Sequence, residues 1–404
     1  MRTGMISQTA WRRSVGKQFH NRRPGEVSGM DRESVSALIG TGGADAVVWA
    51  EASAFGNSGR TGFYAVLEAA GNVAAGGAVP AGLSARIVLP AGAEEEELRS
   101  LAAGVEEACS WLDLQAACVQ GEVSPAVRCP VITVTAAGSI PHDMCGHDGA
   151  AEKDAVRNDM VQNDAVQNGA VQNDTVLNGT AGSGGKAGRY PGIMYPGQEI
   201  ILCGYAGLEG TLRILDEAEE ELSSRFVPSF LAGAKALKKD LVTPEVIRKA
   251  CSLRKEADNG QSRPLVTAVR QIGSGGLLAA LWDMAELSGT GIEVDMHCMQ
   301  LKQETVEVCE YFRLNPYQMT SAGSFLLAAD HADEVIGALE GAGARAGRLG
   351  VARAQNARVI TSGEETRYLD RPAPDELIRW WEERLSGLRV PEHGVNCNLS
   401  GERK

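Results

Sequence analysis

Residues 266–294, VTAVRQIGSGGLLAALWDMAELSGTGIEV, constrain the fold of this chain more than any other stretch. A short β-branched run is followed by glycines at 273, 275 and 276, then by an apolar-faced helical pattern. A second short strand is expected at 292–294. Glycine at a strand-to-helix turn supplies backbone angles that other residues adopt at a cost. Strand, tight turn, helix and strand in succession point to a layered domain of sheet and helix.

The chain has 404 residues, of which 44% are apolar, enough for two domains with cores of ordinary size. A net charge of −13 argues against a nucleic-acid partner, which calls for a basic surface. No run of 18 or more apolar residues is present, so no membrane span is expected. The first 23 residues are basic but carry no apolar segment of the secretory kind. The nine cysteines are irregularly spaced and form no CxxC pair, which fits reduced thiols and a cytoplasmic location. The six histidines show no zinc-ligand spacing.

Strands are expected at 46–50, 84–89, 130–136, 199–203 and 324–328. A helix is expected from Glu94, with Leu98, Leu101, Ala102, Val105, Ala108 and Leu112 on one face. Its acidic start, Glu94 to Glu97, suits the positive end of the helix dipole. Thr243 and Pro244 open another helix as N-cap and first residue. Asp375 caps a closing helix carrying Leu377, Trp381 and Leu385. Between 154 and 178 runs a five-residue repeat, DAVRN, DMVQN, DAVQN, GAVQN and DTVLN, followed by a glycine-rich linker. One valine in five matches neither a helix nor a strand period, so residues 139–190 are expected to be a disordered surface insertion. The expected organisation is an N-terminal domain over 1–138, that insertion, a second domain over 191–374, and a helix and tail over 375–404.

Several segments, in order, resemble the AIR-synthase (PurM-like) superfamily, nearest to its branch of HypE-like hydrogenase maturation factors. They are RSVGKQFHNRR (13–23), AAGNVAAGGAVPAGLSARIVLP (69–90), PGQEIILCGYAGLEGT (196–211), the opening stretch, and LNPYQMTSAGSFLLA (314–328). The resemblance implies a two-domain α+β PurM-like fold. Its N-terminal domains would pair through a β-sheet or barrel into a homodimer, and its C-terminal domain would be an α/β sandwich. It also implies ATP held with Mg2+, and a role in making the cyanide precursor of nickel–iron hydrogenase together with maturation partners.

Magnesium prefers hard oxygen ligands, chiefly carboxylates and water. The resemblance places such acids in separate loops, and most are absent here. Asp45 remains in the first loop. Glu51 stands out of pattern after the first strand. Asn72 replaces an aspartate in the Asn-Asp pair. Glu122 survives in a loop read at 119–122. Arg270-Gln271-Ile272-Gly273-Ser274-Gly275-Gly276 replaces a stretch with two acids. The candidate cofactor-binding residues are thus Asp45, Asn72, Glu122, Gln271, Gly275 and Gly276, with Asp45 and Glu122 as candidate metal ligands. Asp45 and Glu122 otherwise read as solvated turn carboxylates. Gly275 and Gly276 either cradle a phosphate at a helix start or only permit the turn. Arg270 is expected to fill the space of the missing metal, in which case it would attract anions. Cys397 is followed by seven residues, whereas the reactive cysteine of HypE is terminal, so no thiocarboxamide role is expected for it. Each lost charge-assisted contact removes about 1.5–3 kcal/mol. Two roles stand side by side: an ATP-dependent maturation enzyme with an altered site, or a non-catalytic relative that binds a protein partner or small anion.

Overall fold

The computed structural model describes residues 6–15, 17–18, 27–28, 32–40, 46–140, 192–256 and 262–386. Asp45, Cys145, the pentapeptide repeat, Cys397 and the tail from 387 lie outside the described residues. The first half contains α1 (Gln8–Ser14), β1 (Val27–Ser28), β2 (Ala37–Gly40), β3 (Ala46–Phe55), α2 (Thr61–Ala75), β4 (Val79–Pro90), α3 (Glu95–Leu112), β5 (Gln115–Ser124) and β6 (Val131–Ser139). After the insertion come β7 (Glu199–Cys203), α4 (Leu208–Glu217), α5 (Glu219–Ser223), α6 (Pro228–Ala236), α7 (Pro244–Cys251), β8 (Arg254–Glu256), β9 (Ser262–Pro264) and β10 (Val266–Gln271). The chain continues through α8 (Gly276–Ser288), β11 (Gly291–Asp295), α9 (Gln303–Phe312), β12 (Phe325–Ala329), α10 (Ala332–Gly341), β13 (Ala346–Arg353), β14 (Arg358–Ser362), β15 (Glu365–Tyr368) and α11 (Glu376–Leu385).

Two mixed sheets organise these elements, in the orders β1-β2-β3-β6-β4-β5 and β10-β12-β7-β13-β11-β14-β15. The first sheet is one-sided. Val48, Ala50, Ala52 and Ala54 of β3 alternate with exposed Glu51 and Ser53, and Ile132, Val134 and Ala136 of β6 repeat the pattern. Alternation at period two buries one face and leaves the other polar. In the second sheet β7 and β12 are buried almost throughout, as expected of central strands covered on both faces.

Helix α2 lies beneath the first sheet and also packs against α7 and β10 of the second half. Every residue of α2 is buried except Glu68. A helix apolar all round is a core helix, and its alanines and glycines let neighbours approach closely. Helix α3 starts with the expected acidic turn, where Glu94 and Glu97 form a reciprocal capping box.

One cluster joins the first sheet and α2 to Leu208, Leu212, Leu231, Phe312, Leu377, Trp380 and Trp381 from the second half. Phe55 of β3 meets Trp381 of α11 edge-on, with ring centroids 5.8 Å apart. The closing helix is therefore part of the packing between halves. Trp380, 2% exposed, is buried with Leu377 and Trp381, whereas Leu385, expected on the same face, is 41% exposed. Residues 119–122 also correct an expectation. They are not a loop but the middle of β5, paired in parallel with β4 from Gly82 opposite Gln115 to Pro90 opposite Ser124. An edge strand exposed along most of its length carries little apolar periodicity.

Candidate functional site

The two halves meet along a polar seam where α2 faces the turn between β10 and α8. Gln271, the last residue of β10, is 1% exposed. Its Nε2 donates to the Glu68 carbonyl (2.9 Å) and to Asn72 Oδ1 (3.2 Å). Gly71 makes this possible: a Cβ there would lie 1.5 Å from Gln271 Oε1. That Oε1 has no hydrogen-bond partner among the described residues. Asn72 and Gln271, separated by 199 positions, thus form a direct contact between halves.

The turn after Gln271 also has its Gly275 amide taken. Gly275 (φ 85) and Gly276 (φ 69) adopt left-handed backbone angles, and Gly275 is the N-cap of α8. The Gly275 amide donates to Asp375 Oδ2 at 2.6 Å, and the other Asp375 oxygen accepts from Leu377 N at 2.8 Å. One carboxylate therefore serves the starts of both α8 and α11. A helix start attracts an anion, and here the chain supplies that anion itself.

Three carboxyl groups gather at this seam. Glu68 points over the turn, so that a Cβ on Gly273 would lie 2.9 Å from its Oε1. Glu209 of α4 is 1% exposed; its Oε1 is 3.3 Å from Arg213 Nη1, and its Oε2 has no partner among the described residues. Arg213 Nη2 donates to the Phe55 carbonyl at 3.1 Å, tying α4 to β3. Burial, reinforced by the charges of Glu209 and Asp375 and opposed by Arg213, pushes the Glu68 carboxyl up to about 7. Burial also raises Asp375 to about 6, against the two amide hydrogen bonds it accepts.

The sign of the resulting pH dependence follows. Glu68 and Asp375 titrate higher in the folded chain than their ordinary values of 4.5 and 3.8. The folded state then holds more protons than the unfolded state between about pH 4 and pH 7, and this contribution to stability is lost as pH rises through that window. Glu68→Gln should flatten the fall and raise stability at about pH 8 relative to the parent protein. Thermal unfolding of both proteins at about pH 5 and pH 8 measures it. Equal pH slopes would remove Glu68 from this account.

The sequence candidates are distributed as follows. Asn72, Gln271, Gly275 and Gly276 come together at the seam. Asp45 lies outside the described residues. Glu122 does not join them: it sits on β5, on the open face of the first sheet, 3.4 Å from Arg86. Glu51 is on that face too, accepting from Thr135 at 3.4 Å. Sequence reasoning missed Glu68, Glu209 and Arg213, and read Asp375 only as a cap. The available signal was Glu68 itself, a lone carboxylate in the otherwise apolar run TGFYAVLEAAGNVAA.

Arg270 differs from expectation. It is buried, with Nη2 2.8 Å from Asp283 Oδ2 and Nη1 donating to the Glu33 carbonyl. Arg32 reaches Asp283 Oδ1 at 2.6 Å. The guanidinium is held by the chain's own carboxylate rather than offered to an anion. Burial lowers its pKa while Asp283 raises it.

Asp375 is committed to backbone amides, Glu209 to Arg213, and Asn72 to Gln271. Among the described residues no group of three His, Cys, Asp or Glu side chains is placed to hold a metal ion. Among them, too, no helix is long and apolar enough to cross a membrane, and no disulfide joins the seven cysteines.

Comparison with known proteins fits this fold. Residues 43–140 match the AIR synthase related protein N-terminal domain, and residues 195–362 match its C-terminal domain. Carbamoyl dehydratase HypE of Rhodobacter capsulatus is 30% identical over 131 residues, covering 30% of this chain and 38% of that protein's length. The crystal structure of a HypE–HypF complex matches with a TM-score of 0.61 at 16% identity, over 90% of this chain and 100% of the other. HypE in complex with ATP matches with a TM-score of 0.57 at 16% identity, over 82% and 87% of the two chains. With its two-domain PurM-like α+β fold and both domains matched in order, this chain belongs to the AIR synthase related family.

Proposed function

We propose that this protein is a HypE-like member of its family that serves nickel–iron hydrogenase maturation by binding a protein partner, without turning over Mg-ATP. The observation that carries this reading is that the Gly275 and Gln271 donors of the seam are already engaged. Asp375 occupies the Gly275 amide, and the Gln271 amide is spent on Asn72 and the Glu68 carbonyl. A triphosphate would have to displace a buried carboxylate and bring its own neutralising cation to a place with few free ligands. The solved HypE–HypF complex supports a partner-binding role by analogy. The reading includes a cytoplasmic homodimer formed through the first sheet, whose edge strand β5 exposes Val119 and Val123.

Calorimetry with Mg-ATP, and with EDTA as control, tests the proposal on protein whose mass has been fixed by light scattering. The expected result is no heat of binding up to about millimolar nucleotide, where even a weak site would register. A mass of one chain rather than two would remove the dimer from the reading. A second reading, an ATP-dependent enzyme with a rebuilt site, is favoured by Glu68 and Asp375, two carboxyls poised near neutral pH. It requires metal-dependent micromolar binding, and hydrolysis that Asp45→Ala with Glu122→Ala abolishes. Either result would replace the first reading with the second.

A further inference from the structure

The N-terminal segment crosses to the second half of the chain and meets helix α8 at two carboxylates, Asp283 and Glu286. The tie at Asp283 is buried: Arg32 reaches its Oδ1 at 2.6 Å, with 8% and 2% of the two side chains exposed. The tie at Glu286 is open to water. Gln8 Nε2 donates to Glu286 Oε1 at 2.8 Å, and Arg12 Nη2 lies 3.4 Å from the same oxygen. There 63% of Arg12 and 27% of Glu286 are exposed. Glu286 Oε2 accepts from Arg358 of β14 at 2.6 Å, and the Arg358 guanidinium stacks 4.0 Å from the Trp282 ring, one turn back on α8.

Helix α1 depends on the exposed tie. It has seven residues, none of them buried. A helix that short does not persist alone in water, because its few hydrogen bonds do not offset the cost of nucleation. Gln8 and Arg12 stand one turn apart and so share a face. Among the described residues, the hydrogen bonds and ion pairs that join α1 side chains to the rest of the chain all end on Glu286. Burial works against the charge of Glu286. The hydrogen bonds from Gln8 and Arg358 and the charges of Arg358 and Arg12 outweigh it and hold the carboxyl below its ordinary value.

We propose that α1 is an ionic strap, closed on α8 by the charge of Glu286 and released, melting as it leaves, when that charge is screened. The two ties differ in their response to salt. The screening length falls from about 10 Å at 0.1 M to about 3 Å at 1 M, and buried pairs are screened much less than exposed ones. Salt therefore loosens Arg12 and leaves Arg32 in place. Arg358 is 9% exposed and packed on Trp282, so it stays with Glu286 when α1 departs. Opening thus leaves no buried charge without its partner, the condition that makes breaking an ion pair expensive. The end of the chain docks or detaches while Arg32 keeps the segment anchored and the rest stays folded.

The experiment is hydrogen exchange of the full chain, read by mass spectrometry over residues 8–14 and over α8, at about 0.02 M and 1 M NaCl. The parent protein is compared with Gln8→Ala/Arg12→Gln. Both new residues are good helix formers, so any loss of protection comes from the lost tie rather than from helix propensity. In the parent, α1 amides are expected to be protected at low salt and to exchange at least about fivefold faster at 1 M. The variant should exchange as fast at low salt, gain little more from added salt, and leave α8 unchanged. Protection that neither salt nor the variant reduces would overturn the proposal in favour of apolar docking through Trp11. Full exchange of α1 in the parent at low salt would overturn it by showing no closed strap. Acceleration of α8 together with α1 would overturn it by making α1 part of the cooperative fold.

Discussion

Asp283→Ala is expected to lower the stability of the folded chain by about 3–5 kcal/mol. Asp283 is 1% exposed and is the shared partner of two arginines, Arg270 at 2.8 Å and Arg32 at 2.6 Å. Removing it leaves two guanidinium groups facing each other in a region that has excluded most water. A lone buried charge loses hydration without compensation, which is why breaking a buried pair costs more than the pair contributes. The effect reaches across the chain, because Arg32 and Glu33 belong to the N-terminal segment and Arg270 and Asp283 to β10 and α8. Urea unfolding of the parent and variant measures it. Arg270→Met together with Asp283→Leu should be less harmful than Asp283→Ala, since no buried Arg270 charge is then left behind. A loss below about 1 kcal/mol for Asp283→Ala would mean that water reaches this pair freely.

Gly276→Ala is expected to cost about 2–5 kcal/mol, from left-handed backbone strain of roughly 1–2 and overpacking of roughly 1–3. Gly276 has φ 69, and a Cβ there would lie 2.6 Å from Met319 N and Tyr317 O and 2.7 Å from Met319 O. All three atoms are backbone, so no rotamer change can relieve the contact. Gly289 offers the control. It has a similar φ of 63, but nothing lies within 4 Å of the added carbon. Gly289→Ala should therefore show the strain alone, about 1–2 kcal/mol. Equal losses at the two positions would mean that the α8 turn yields to the extra carbon.

The motif that opens the sequence reading was legible because its information is local. Glycines at 275 and 276 followed a β-branched strand and preceded an apolar helix, and both have positive φ in the structure. The strand expected at 199–203 is β7 as observed, and that at 324–328 differs from β12 by one residue at each end. Buried central strands carry an apolar run that survives without an alignment. The strand at 46–50 was read too short because its continuation, EASAF, places Glu51 and Ser53 on the open face. For the same reason residues 119–122, the middle of β5, read as a loop. Polar residues on a solvated sheet face look like turn chemistry in one dimension.

Candidate-site residues were only partly legible. Asn72, Gln271, Gly275 and Gly276 were singled out by resemblance and do meet. The roles of their neighbours were not readable, because a carboxylate's chemistry depends on what surrounds it. Glu68, Glu209 and Asp375 lie on three elements far apart in the chain, and only their convergence raises Glu68 to about 7. Arg270 looked like a free cation beside a glycine turn, yet its partner sits thirteen residues on, across the start of α8.

The sequence by itself determined a layered class of fold and several of its elements, since periodicity, capping and glycine placement act within a few residues; the family was legible only through the resemblance of its ordered segments. The tertiary structure alone decided that the seam is closed. Asn72 with Gln271 and Gly275 with Asp375 join positions 199 and 100 residues apart. No local preference specifies such contacts. They exist because packing α2 between the halves removes water from these polar groups, and a buried donor left unpaired costs about 1–3 kcal/mol.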